Sequence, residues 1–279
     1  MDASLKELVS YQLQVGPGKF VHLNDYIGGF LSIRFLGEIH CCFCGKLTAK
    51  SYGGGSCFQC LQSLPQNDMC QVKPELCHLD RGTCRDSVWG REFCQKPHKV
   101  YLARSSSVKV GITRENPPER RWMDQGAIEG MVIAEVPDRK TSGLIEVALA
   151  QHIEDKTDFR KMLRGEVAEA NLQEIYENLA DHVPLSLQSY LLAEPKSITL
   201  TYPLAEAPQK IKTVSLDKEA LVEGTLKGIK GQYLVFENFV FNVRAHTGYD
   251  VEISGKTGTG FKAPVDDSSK PMPSLFDFF

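Results

Sequence analysis

The 279-residue chain carries nine cysteines, and all of them fall between Cys41 and Cys94. Cys41-x-x-Cys44 and Cys57-x-x-Cys60 are paired at a spacing that lets each pair place two thiolates on one ion. Together they make a closed, all-thiolate tetrahedral zinc site. Gly45 behind the first pair and Gly53-Gly54-Gly55 ahead of the second suit the tight backbone of a zinc knuckle. The competing reading, free thiols in a core, is disfavoured by the paired spacing. Cys42 is surplus. Cys70, Cys77, Cys84 and Cys94 remain, with His78 and His98 among them, at a spacing that fits no short zinc motif. Four soft ligands near Pro74, Gly82 and Gly90 still point to a second structural site, in which either histidine could replace a cysteine. An odd cysteine count also argues for metal or free thiols over a disulfide framework.

A second cluster can do phosphate chemistry. Lys109, Arg114, Arg120 and Arg121 gather near Trp122, and a helix carrying Glu146 follows. Cations beside a single acid can bind a phosphodiester and a divalent ion. A solvated charged face is the alternative.

These residues need elements to position them. Val100-Tyr101-Leu102-Ala103 and Val108 to Thr113 read as two strands joined by a Ser-rich turn, and Met131 to Val136 as a third. Pro117 to Gln125 is charged and helical, with proline early, where a first turn tolerates it. Ser142 is the expected cap of a helix to about Ile153, along which Ile145, Leu149 and Ile153 recur at helical spacing. Further helices are expected over about 158–165 and 166–180. The fold class is α+β, with a β-β-α-β-α-α centre over 99–192. Residues 1–40 form an N-terminal β segment containing the strand from Phe30 to Leu36. Residues 41–98 are Cys-rich, with too few aliphatic residues to bury a core, so something else must hold them. Residues 193–254 are β-rich, a small barrel or meander. Residues 255–279 are expected to be a flexible tail with an apolar end.

Composition is that of a folded protein, with 42% hydrophobic and 24% charged residues and a formal net charge of -3. The charge excludes a wholesale basic coat but not a local basic groove. No apolar run approaches the roughly 20 residues needed to span a bilayer, so no membrane partner is expected. The first residues lack a basic-then-apolar signal pattern, and a cytoplasmic location is expected.

From Val100 to about Arg164 the order and spacing resemble the GIY-YIG endonuclease module. In that resemblance Tyr101 matches the tyrosine of the first motif, Gly111 the glycine of the second, Arg121 the arginine of the first helix and Glu146 the metal-binding glutamate. Gln125 stands where some members have histidine, and Asp158 near a frequent asparagine. Lys109 departs from the pattern, because tyrosine usually opens the second motif. The whole chain is also similar to an uncharacterised bacterial family carrying a KVGITR segment. The resemblance implies a metal-dependent phosphodiester hydrolase acting on DNA or RNA. It would have Mg²⁺ or Mn²⁺ at Glu146, catalytic roles for Tyr101, Lys109, Arg121 and Glu146, and nucleic-acid contacts from Arg114, Arg120, Trp122, Gln125 and Asp158. A tyrosine that only packs on the sheet is the other reading of Tyr101. A non-catalytic nucleic-acid-binding module on the same fold, or a protein-interaction adaptor, are the other readings of the whole.

In the β-rich region Tyr233, Phe236, Phe239 and Phe241 could stack bases, with Lys227, Lys230 and Arg244 along phosphates, or could fill the interior. The tail ending Leu275-Phe276-Asp277-Phe278-Phe279 is a candidate docking peptide. Its Ser-Leu-Phe resembles the core of peptides that bind the bacterial DNA sliding clamp.

Overall fold

A computed structural model describes residues 1–16, 18–114, 116–153 and 158–258. The chain forms two compact units: Met1–Leu61 with the described part of Thr201–Phe279, and Gln62–Leu200. In chain order it begins with β1 (Asp2–Ser4), β2 (Ser10–Gly16), β3 (Lys19–His22), β4 (Phe30–Ile39) and α1 (Phe58–Ser63). Four single-turn 3₁₀ segments follow, and then α2 (Ser87–Phe93), β5 (His98–Arg104), β6 (Val108–Thr113), α3 (Glu119–Asp124) and β7 (Glu129–Val136). Next come α4 (Arg139–Ala150), α5 (Phe159–Arg164), α6 (Leu172–Ala180) and β8 (Ser197–Thr199). The chain returns as β9 (Thr213–Val214), β10 (Leu221–Lys230), β11 (Tyr233–Phe236), β12 (Val240–Asn242) and β13 (Tyr249–Lys256).

The first unit corrects the expected division. Its main sheet runs β13-β4-β10-β11-β12-β9, beside a separate three-stranded sheet β1-β2-β3. The N-terminal strand β4 therefore lies between two C-terminal strands, with Ile33 opposite both Val222 and Ile253. No closed barrel forms among the described residues. Leu31 and Ile33 on β4 meet the core with Val222, Leu226, Leu234, Phe236 and Phe241, all buried. Pairing across almost 200 residues is what buries them, and a local hydrophobic pattern carries no record of it. Tyr233, Phe236 and Phe241 fill this interior, so they do not stand out to stack bases. Lys227 pairs with Glu237 at 3.6 Å. The strand β13 carries regular structure to Lys256, past the expected start of the tail. Leu275 to Phe279, the proposed clamp-binding peptide, lie outside the described residues.

The second unit is a four-stranded antiparallel sheet in the order β6-β5-β7-β8. Side chains alternate across it. Val100, Leu102, Val108, Met131 and Ile133 share a core with Ile145 and Leu149 of α4 and Leu172, Tyr176 and Leu179 of α6. Burying each large aliphatic side chain there contributes about 1.5–3 kcal/mol. Tyr176 brings its hydroxyl inward but keeps it bonded, donating to Leu192 O at 2.6 Å. The helix α4 starts before the expected cap. Asp138 accepts from Thr141 N at 2.8 Å, a stronger N-cap than the buried Ser142, whose hydroxyl donates to Arg139 O at 2.6 Å.

Two glycines set how closely helices approach this sheet. A β-carbon at Gly130 would lie 2.3 Å from the Trp122 ring, and one at Gly143 would lie 2.4 Å from Glu75 N. The first seats α3 on the sheet. The second lets the 3₁₀ turn Pro74–Leu76 press onto α4. Gly130→Ala is therefore expected to cost about 1–3 kcal/mol through overpacking. Gly224→Ala, whose β-carbon would meet nothing closer than 3.6 Å, is expected to leave the melting temperature nearly unchanged. Thermal unfolding of both variants checks the contrast.

Candidate functional site

In the first unit, β4 leads directly into the first cysteine pair. His40 and Leu47 bridge. Cys41 N donates to Lys46 O at 2.9 Å, and Gly45 N donates to Cys41 O at 2.8 Å. Gly45 takes φ 72, which a side chain would resist. A second bridge, Tyr52 to Ser56, turns the chain back, and α1 carries Cys60. The ligand atoms of Cys41, Cys44, Cys57 and Cys60 all lie within 4.8 Å of one another. Cys44 and Cys57 have their sulfurs 3.8 Å apart, a separation that suits two thiolates about 2.3 Å from one tetrahedral zinc. Backbone donors face the sulfurs: Cys57 N to Cys41 Sγ at 3.2 Å, and Cys60 N to Cys57 Sγ at 3.5 Å.

Burial pushes the Cys41 thiol up, but the N–H groups of Cys44, Cys57 and Phe43 outweigh it and bring the thiol down to about 6. Burial pushes Cys60 up to about 12. One thiol that ionises easily beside one that resists is a set whose accumulating negative charge a dication offsets. This group could hold a zinc ion. Cys42 is outside it: its sulfur lies 2.7 Å from where a Gly55 β-carbon would stand.

In the second unit Cys70, Cys77 and Cys94 are buried together under Leu79 and Trp89. Cys84 is half-buried, donates to Asp86 O at 3.2 Å, and has its sulfur 3.2 Å from where a Gly90 β-carbon would stand, beside Leu79. His98 Nδ1 donates to Lys96 O at 2.7 Å. Burial brings His98 down to about 4, so it is neutral at pH 7.

The same unit gathers the phosphate-chemistry candidates. Tyr101 on β5 stands opposite Gly111 on β6, and a β-carbon at Gly111 would lie 2.6 Å from the tyrosine hydroxyl. The missing side chain is the space the phenol occupies. Tyr101 is 1% exposed. Gln125 Nε2 donates to its hydroxyl at 3.1 Å, and Trp122 meets its ring edge-on at 5.8 Å. Burial raises the Tyr101 pKa, against the opposing pull of Arg121 and Gln125, and the charge of Glu146 raises it further.

Glu146 is raised to about 7 by burial, with Glu75 adding to the rise and Arg139, Arg121 and Lys109 opposing it. Tyr101, Lys109, Arg121 and Glu146 thus lie within electrostatic reach in one neighbourhood. Glu146 also lines a cavity of about 260 Å³ at the β6 edge of the sheet, with Glu75, Lys73, Pro74 and Val110 among its other walls. Among the described residues, no hydrogen bond or ion pair holds the Glu146 carboxylate.

The other expected contacts are redistributed. Trp122 is 1% and Arg120 5% exposed. Both pack within the fold and do not face a nucleic acid. Arg114 stacks on Phe93 at 4.2 Å. Asp158 caps α5, accepting from Arg160 N at 2.7 Å, so its carboxylate is committed to that helix. Gln125 serves the Tyr101 hydroxyl. Sequence reasoning missed Glu75 and Arg139. Neither stands in a recognisable motif, and only the contact between the turn at Pro74 and Gly143 brings Glu75 to the cavity.

The fold and these two sites define an α+β protein with a cysteine group able to hold zinc in one unit and a cavity lined by Glu146, Glu75 and Lys73 in the other. No described helix is long and apolar enough to cross a membrane. The chain belongs to the family described as "Protein of unknown function (DUF2797)", which it matches over residues 28–251. No curated protein and no solved structure matches it.

The Glu146 carboxyl gives a pH test. Its folded-state pKa lies above that of an ordinary glutamate, so the native state holds the proton more tightly than the unfolded chain. The associated stability is complete below the unfolded pKa and is lost as pH rises through about 7. In metal-free buffer Glu146→Gln is expected to unfold at a higher temperature than the parent at pH 8, by a free energy on the order of 2–3 kcal/mol. The difference should close toward pH 4. Equal melting curves at both pH values would contradict the burial argument.

Proposed function

We propose that the chain is a nucleic-acid-processing protein whose second unit hydrolyses phosphodiester bonds with a divalent metal, while zinc at Cys41, Cys44, Cys57 and Cys60 staples the first unit. The observation that carries this reading is the shared neighbourhood of Tyr101, Arg121 and Glu146, with Gly111 vacating the space that the phenol fills. It fits the resemblance to the GIY-YIG module in residue type and order. The donor set also suits a hard cation, because Glu146 lacks a bonded partner among the described residues and Glu75 lines the same cavity.

Mg²⁺ or Mn²⁺ bound there would supply Lewis-acid polarisation of the scissile phosphate and stabilise the leaving oxygen. The chain's own groups do the rest. Arg121 offsets the negative charge that develops on the phosphoryl group. Tyr101, kept protonated by its burial and held by Gln125, orients the attacking water by hydrogen bonding and stays a phenol throughout. Lys109, where the resembled family has tyrosine, draws the phosphate toward the pocket. The substrate class is DNA or RNA.

A second reading rests on the burial of Tyr101 together with Lys109: the same unit binds nucleic acid without cutting it. Incubation of labelled branched, single-stranded and duplex substrates with Mn²⁺ separates the two. The hydrolase reading predicts products. It also predicts that Glu146→Ala abolishes cleavage and that Arg121→Ala lowers the rate by about 10²–10³-fold, with both variants folded. Cleavage retained by Glu146→Ala removes the assignment. Salt-sensitive binding without products would favour the binding module. The absence of salt-sensitive binding would favour a protein-interaction adaptor.

A further inference from the structure

The segment from Gln62 to about Lys96 holds little beyond 3₁₀ turns and the short helix α2. Its buried centre is made of sulfur: Cys70, Cys77 and Cys94 under Leu79 and Trp89. The Cys77 thiol is held well below its ordinary pKa by the neighbouring thiols of Cys70 and Cys94. Gln71 Nε2 reaches Cys70 Sγ at 3.9 Å and Cys94 Sγ at 3.8 Å. Three thiols packed in one cluster offer three of the four ligands of a tetrahedral site.

Two side chains stand beside Cys70 as candidates for the fourth, since ligand atoms of Asp68, Cys70 and His78 lie within 4.8 Å of one another. Asp68 is already committed. Its Oδ2 pairs with Arg85 Nε at 2.8 Å, and its Oδ1 accepts from Cys70 N at 3.5 Å. His78 is prepared as a ligand. Its Nδ1 meets Thr83 Oγ1 at 2.8 Å, and Thr83 Oγ1 donates to His78 O at 3.4 Å. Such an outer partner fixes the tautomer and ring orientation of a metal-binding histidine and leaves Nε2 as the ligating atom. Nε2 lies 3.6 Å from Asp68 Oδ1.

We propose that Cys70, Cys77, Cys94 and His78 hold a second zinc ion, structural and separate from the four-cysteine group of the first unit. Cys84 is left out of the set, because it is not among the sulfurs buried together. Three thiolates around a dication carry one negative charge, and the half-buried Arg139 balances it. Arg139 Nη2 donates to Gln71 O at 2.7 Å, the charges of Cys94, Cys70 and Cys77 all act on the guanidinium, and its Nε has no hydrogen-bond partner among the described residues. The ion ties the chain on either side of Pro74–Glu75, the turn that sits over Gly143 and lines the Glu146 cavity. It stands in for the hydrophobic core this segment lacks.

Zinc per chain, measured by elemental analysis of the full-length protein, tests the site without reference to activity. The parent should hold two ions, Cys77→Ser one, Cys57→Ser one, and Cys84→Ser two. His78→Ala should release its second ion to a competing chelator at least tenfold more readily than the parent does. One ion in the parent, two in Cys77→Ser or one in Cys84→Ser overturns the proposal. If Cys77→Ser is insoluble, cobalt reconstitution of the parent decides. Thiolate-to-cobalt absorption from seven sulfur ligands supports the site, and absorption from four or from eight overturns it.

Discussion

The half-buried carboxyl group of Glu146 is the constraint on which the second unit's candidate site depends. Burial alone would make it a neutral acid at pH 7 or push it out to solvent. Lys109, Arg121 and Arg139 pull the other way, and the result is an acid poised near neutrality, with Glu75 as a like-charged neighbour on the cavity wall. A group of this kind binds a proton or a cation with little reorganisation. The proposed metal-assisted chemistry relies on that property.

The neighbourhood is assembled by absences as much as by contacts. Gly111 leaves room for the Tyr101 phenol, Gly130 for the Trp122 ring and Gly143 for the backbone of Glu75. Each brings two elements closer than any larger residue allows, and together they set the positions of α3, the sheet, α4 and the Cys-rich turn. The buried strand residues Val100, Leu102 and Met131 supply the stability against which these close approaches are held.

How much of this could be read from the sequence follows from how local each signal is. Cys41, Cys44, Cys57 and Cys60 were legible because a CxxC pair encodes its own geometry within four residues. The β5–β6 hairpin and α4 were legible from periodicity, although Asp138 rather than Ser142 caps the helix, because a carboxylate one residue before it makes the stronger bond to the first turn. Cys70, Cys77 and Cys94 were legible only as soft ligands. Which of them are buried together depends on how four 3₁₀ turns stack. The insertion of β4 between β10 and β13 was illegible, because its partners lie about 190 residues away and alternation in one strand says nothing about its neighbour. Glu75 was invisible for the same reason: an acid in a proline-bounded turn acquires meaning only when a distant glycine admits it.

The most direct measurement is an NMR titration of the Glu146 side-chain carboxyl in selectively labelled protein, with and without Mg²⁺. A midpoint near 7 in metal-free buffer that moves to lower pH as Mg²⁺ is added is the result expected of a buried acid that takes a cation. A midpoint at the ordinary glutamate value, unmoved by Mg²⁺, would contradict both the burial and the metal-binding role.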